Sequence, residues 1–134
     1  MGYRSQVAFV AQGPKEHIIA VLTTWRLTPL FPEELEHVMR ELYLHTDSDN
    51  LCSLTFQDEC KWYNSYHDVQ MFEQLFDLLR QDEENISTAF VRIGEDDDDT
   101  ETHYSGSEPY RLVALHRSVS IEASVGEPLR ETSA

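Results

Sequence analysis

A chain of 134 residues with 25 Asp and Glu against 10 Lys and Arg carries a formal charge of -15. Its length and its 40% hydrophobic content support one domain with its own core and exclude global disorder. The charge argues against direct binding to nucleic acid or anionic membranes. No apolar run approaches the ~20 residues of a membrane-spanning helix.

Residues 5–11 alternate loosely around Val7 and Phe9 and predict a strand. The N-terminus is therefore expected to run straight into structure, without a secretory core. Ser5 stands one place short of the position a myristoylation start would use. Gly13-Pro14 ends the strand, and Pro14 suits the first turn of a helix in which Ile18, Ile19, Leu22 and Trp25 recur at helical spacing. Pro29 and Pro32 break that helix. A second starts near Pro32, with Glu33 and Glu34 complementing its dipole and Leu35, Val38, Met39 and Leu42 as its core stripe.

Residues 46–50 read as a loop. Residues 51–56 and 60–63 predict a hairpin turning at Gln57-Asp58-Glu59, with Cys52, Leu54 and Phe56 on one face. That register does not oppose Cys52 to Cys60, so both are expected as half-buried free thiols of a reducing compartment. The third helix starts near His67 and has the clearest period: Val69, Phe72, Leu75, Phe76, Leu79. Residues 87–93 predict a strand with Ala89, Val91 and Ile93 on one side, and residues 102–104 a short return. Residues 111–121 predict one long final strand.

The order βααββαββ reduces to a split βαβ pair. The expected fold is α+β, a ferredoxin-like sandwich with helices on one face of an antiparallel sheet. The domain is expected over residues 1–122 and a polar tail over residues 123–134. The other sheet face would show Arg4, Ala8, Val10, Lys61, Tyr63, Phe90 and Arg92.

Residues 95–101 place Glu95, Asp96, Asp97, Asp98, Asp99 and Glu101 in one run. Sixteen carboxylates against three cations lie between residues 47 and 101, so the field belongs to that half of the chain. In an extended segment, rising about 3.3 Å per residue, alternate carboxylates would track a phosphate row. The bland alternative is a solvated, solubilising turn. An EF-hand reading of Asp96, Asp98 and Thr100 fails because Glu101 stands where glycine is required. Glu33, His37, Glu41 and His45 are spaced by four, but the set drifts around a helix and converges poorly on a metal.

No nucleophile elbow or phosphate-cradling glycine loop is present, so no catalytic residue, metal or cofactor is expected. Arg4, Lys61, Tyr63, Arg92 and Tyr104 form the alternative site. Cations and rings on one sheet face would clamp a nucleotide by pairing and stacking.

The segments Met1-Gly2-Tyr3-Arg4-Ser5-Gln6-Val7-Ala8, Lys61-Trp62-Tyr63 and Ala89-Phe90-Val91-Arg92-Ile93-Gly94-Glu95 resemble a group of small uncharacterised proteins of tailed bacteriophages. The resemblance implies a phage product acting in a bacterial cytoplasm. Together these readings lead to a non-enzymatic acidic protein. It would block a basic, nucleic-acid-binding or defence site on a host protein, with DNA mimicry as one route. The alternative is a small-ligand binder that sequesters a nucleotide signal. Neither reading calls for direct contact with nucleic acid or a membrane, and homodimer formation is left open.

Overall fold

The run Val7-Ala8-Phe9-Val10-Ala11 has no polar break, which suits a strand covered on both faces. The computed structural model describes residues 4–96, 98–106, 113–115, 119–121 and 127–129. In it this run is the centre of β1 (Ser5–Pro14), and all five residues are fully buried. β1 leads into α1 (Lys15–Leu27), a 3-10 turn (Pro32–Glu34) and α2 (Leu35–Arg40). β2 (Tyr43–Thr46) and β3 (Leu51–Cys60) follow, then α3 (His67–Gln81), β4 (Ser87–Ile93) and β5 (Thr100–Ser105). Short strands β6 (Val113–Leu115), β7 (Val119–Ile121) and β8 (Glu127–Pro128) complete the described chain.

The main sheet is antiparallel in the order β5-β4-β1-β3-β2-β8. Val7, Phe9 and Ala11 point to the helices, where Ile18, Leu22 and Trp25 of α1 and Phe72, Leu75, Phe76 and Leu79 of α3 meet them. Phe76 stacks on Phe9 with centroids 3.7 Å apart, and Trp25 donates its indole N–H to the Met71 carbonyl at 3.2 Å. The α+β class and the helical layer on one face match the expectation.

Several local readings are corrected. The hairpin turns at residues 47–50, not at Gln57-Asp58-Glu59. The Asp47 carboxylate accepts the N–H groups of Asp49 (2.8 Å) and Leu51 (3.0 Å), and Asn50 takes the left-handed conformation at φ 66°. Residues 57–59 instead continue β3, opposite Ala8, Val7 and Gln6. Residues 61–63 lie beyond the strand, and Trp62 turns back onto Phe56, Phe72, Phe76 and Phe90.

The parity of β4 is the reverse of the expected one: Phe90 faces the helices opposite Phe9, while Ala89 and Val91 face the other way. Both faces of β4 are buried, so alternation carries no signal there. Ala89 and Val91 join Ala8 and Val10 in a second apolar cluster. Its small side chains let the backbone of β6 and β7 come within 8 Å of β1 and β4.

Within the expected long final strand, β6 and β7 are separate antiparallel partners, with Val113 opposite Ile121 and Leu115 opposite Val119; residues 111, 112 and 116–118 lie outside the described residues. Within the expected tail, Glu127 and Pro128 pair with Leu44 and Tyr43. The Leu129 N–H donates to the Leu42 carbonyl at 2.7 Å, and the Leu129 side chain is buried. The Glu33–His45 lane does not form, because α2 spans only Leu35–Arg40 and His45 lies on β2.

Candidate functional site: an acidic pole at one end of the sheet

Antiparallel pairing brings the start of β1, the ends of β3 and β4 and the start of β5 to one end of the sheet. Residues 94–99 connect β4 to β5 there, Glu101 stands in β5, and Asp58 and Glu59 of β3 lie at the same end across β1. The run is not extended. The Gly94 N–H donates to the Asp99 carbonyl at 2.7 Å, and the Asp99 N–H to the Asp96 carbonyl at 3.0 Å. The chain therefore doubles back, and these carboxylates do not form the evenly rising ladder expected of an extended segment.

The run divides into inner and outer groups. Arg92, with its side chain 17% exposed, donates to both Asp99 oxygens at 2.9 and 3.2 Å. It also donates to Glu101 at 3.2 Å and to the Ser5 hydroxyl at 3.2 Å. Asp99's hydrogen bonds raise the Arg92 pKa, outweighing a burial that works against them. Glu95 accepts the Arg4 backbone N–H at 2.8 Å, and Glu101 also meets His103 at 2.6 Å. Asp96 and Asp98 are exposed at the tip, and Asp97 lies outside the described residues.

Two titratable groups report the local field. Burial, and then the carboxylates of Asp58, Asp68 and Glu41, push the Cys60 thiol up to about 11, against the opposing charge of Arg4. Burial also raises the Glu73 carboxyl; Arg80 opposes it, and the like charges of Asp77 and Glu101 add to it. Asp58, Asp68 and Glu41 thus act on Cys60, which pairs with Ser5 at the end of the sheet where the β4–β5 connection lies. Asp58 was missed in sequence because the misplaced turn hid the register that sets it opposite Val7.

A direct measurement follows. With Cys52, which is also a free thiol, replaced by Ala, the alkylation rate of Cys60 should rise with pH along a titration centred at about 11. Asp58→Asn with Asp68→Asn should move that centre down. A centre near the ordinary 9.0 in the Cys52→Ala protein would show that neither burial nor the field acts on this thiol.

The alternative Arg–Tyr face does not assemble. Tyr104 opposes Ala89 on the face away from the helices, whereas Arg92 lies on the helix-side face. Lys61 and Tyr63 are in the loop after β3, where Tyr63 meets the edge of Tyr66 at 5.1 Å. Arg4 is exposed beside Glu95. Tyr3, Tyr110, Arg111, His116 and Arg117 lie outside the described residues. Among the described residues no group of three or more His, Cys, Asp or Glu is placed to hold a metal, and no helix is long and apolar enough to cross a membrane.

No protein-family model, curated protein or solved structure matches this chain.

Proposed function

We propose that this chain is a non-enzymatic acidic binding protein of tailed-phage type. It acts in the bacterial cytoplasm by occupying a basic, nucleic-acid-binding or defence site on a host protein. The observation that carries the reading is the strand register that brings Asp58 and Glu59 of β3 to the same end of the sheet as the acidic β4–β5 connection. The field of these carboxylates steers a basic partner and repels nucleic acid itself. The order β4-β1-β3-β2 supports a ferredoxin-like sandwich as the scaffold, with β5 and β8 added at its edges.

The test is capture from bacterial lysate at low and high salt, followed by competition. A captured nucleic-acid-binding protein should release its nucleic acid when the acidic chain is added, and a defence protein should lose its activity. A ternary complex in which nucleic acid stays bound, or a defence protein that stays active, would rule out blockade.

Replacing Asp96 and Asp98 by Asn should slow association about threefold to tenfold at low ionic strength and leave dissociation nearly unchanged. The difference should shrink at 0.15 M salt, where exposed charges are screened beyond about 8 Å. Stopped-flow association rates read this directly. Equal rates in the two proteins would remove the tip from the docking surface.

A further inference from the structure

We propose that the groove between α1 and α3 seats a basic amphipathic helix of the partner. This rests on the binding function above and names a second contact surface on the helical layer.

The two helices run antiparallel and are tied at both ends. His17 of α1 lies 3.2 Å from Asp82, just past α3. At the other end the Gln74 amide donates to the Thr28 carbonyl at 2.8 Å and accepts the Leu30 N–H at 3.0 Å. These ties fix α1 and the segment after it against α3. The groove consists of two adjoining hollows that share Leu78 and Gln81: one of about 430 Å³ between α1 and α3, and one of about 360 Å³ along α3 beside Leu30 of the segment that follows α1. Leu30, Leu78, Ala20 and Val21 give it apolar surface. Leu30 is 57% exposed, and Leu27, one turn beyond Thr24, is 77% exposed.

The charge identifies the occupant. Glu73, Asp77 and Asp82 line the hollows, and among the described residues no Lys or Arg lines either one. Arg80 pairs with Asp77 at 2.9 Å, but its guanidinium lies about 6 Å from the Phe9 and Phe90 rings, toward the sheet. An apolar floor with a negative rim fits a helix carrying Leu-type residues on one face and Lys or Arg beside them.

A second copy of this chain would bring its own charge of -15 to that rim, which disfavours a homodimer here. An added strand is disfavoured too, because the groove walls are helices whose backbone groups are already paired. From Gln70 to Gln81 the groove follows α3 for about 16 Å, at 1.5 Å per residue. That length takes roughly three turns of a docked helix.

The probe is a fluorescein-labelled, capped 14-residue peptide of Leu and Lys in helical amphipathic order, compared with a scrambled peptide of the same composition. Fluorescence anisotropy on the full chain should give an affinity at least about tenfold higher for the ordered peptide, with helix forming on binding by circular dichroism. Ala20→Arg places bulk and like charge in the groove at an exposed helical position. Leu30→Gln removes apolar surface independently. Each should weaken the ordered peptide about fivefold or more while keeping the wild-type melting curve. The Asp96→Asn/Asp98→Asn protein should bind it within about twofold of wild type.

Equal affinity for the two peptides would overturn the proposal. So would weakening by the turn substitutions and not by the groove substitutions. A host protein captured equally well by wild type and Ala20→Arg would remove the groove and leave the acidic pole as the docking surface. Peptide binding that obeys the groove substitutions, with no competition at any basic host site, would keep the groove and remove the blockade reading.

Discussion

Phe76→Ala should lower the free energy of unfolding by about 3–5 kcal/mol. Phe76 is fully buried, stacks on Phe9 at 3.7 Å, and meets Phe72, Phe90 and Trp62 within 6.5 Å. It joins α3 to β1 and β4, so its loss leaves a cavity that no single element can close. Rings in contact add attraction beyond the area they bury. Urea denaturation should show a lower midpoint with an unchanged slope. A midpoint equal to wild type would mean that the aromatic cluster does not hold the helices on the sheet.

Asp99→Asn should cost about 1–3 kcal/mol, whereas Asp98→Asn should be neutral or slightly stabilising. The two residues are neighbours in an acidic run, yet their surroundings are opposite. Asp98 is exposed among like charges, while Asp99 is one-third exposed and holds the Arg92 fork with both oxygens. An amide keeps one acceptor, loses the charge, and turns a donor toward a guanidinium. Replacing the whole run by Asn is therefore not a neutral test of binding.

The same network predicts acid sensitivity. Burial pushes the Glu101 carboxyl up, but hydrogen bonds from His103 and Arg92 outweigh burial and leave it below its ordinary 4.5. A carboxylate depressed on folding contributes stability above the unfolded value and loses it as pH falls through the folded one. The stability conferred by Glu101 should thus be present at pH 7 and decline below about 4.5. Denaturation at pH 7 and pH 3 compares wild type, Asp98→Asn and Asp99→Asn. Coincident curves for the two variants at pH 7 would show that Asp99 is no more structural than its neighbour.

Two kinds of element were legible in sequence: a helix with one wet face, and a strand whose apolar run is unbroken. α3 has a single apolar stripe, and Val69, Phe72, Leu75, Phe76 and Leu79 are all buried as their spacing requires. β1 declares itself by an unbroken apolar run. Where both faces are covered, the pattern fails: Ala89 and Phe90 are equally buried, and only register shows which layer each meets. The hairpin was missed for a different reason. Gln57-Asp58-Glu59 is polar because β3 runs past the helical layer, not because the chain turns. The real turn lies at Asp47 and Asn50, where a side-chain acceptor and a left-handed residue replace the usual glycine.

The candidate site was half legible. Composition reveals an acidic run but not which of its members face inward. Arg92 looked like a free cation on an open sheet face; its partners lie seven and nine residues on, across a turn whose path depends on Gly94 meeting Asp99. Asp58 and Glu59 are distant in sequence from residues 95–101 and reach the same end of the sheet only through pairing across β1. The α1–α3 groove depends on how two helices sit together, which no periodicity within either one expresses.

The central position of β1 has a consequence for synthesis. Its neighbours are β3, ending at Cys60, and β4, ending at Ile93, so its hydrogen bonds and both covered faces await chain made much later. At about 5–20 residues per second, translation leaves Val7-Ala8-Phe9-Val10-Ala11 without its partners for seconds. Such an apolar strand, unpaired in a crowded cell, is the segment for holding chaperones to recognise. Because both pairings close long loops, the finished chain should fold on the slower millisecond-to-second scale of sheet topologies, not as a helical bundle does.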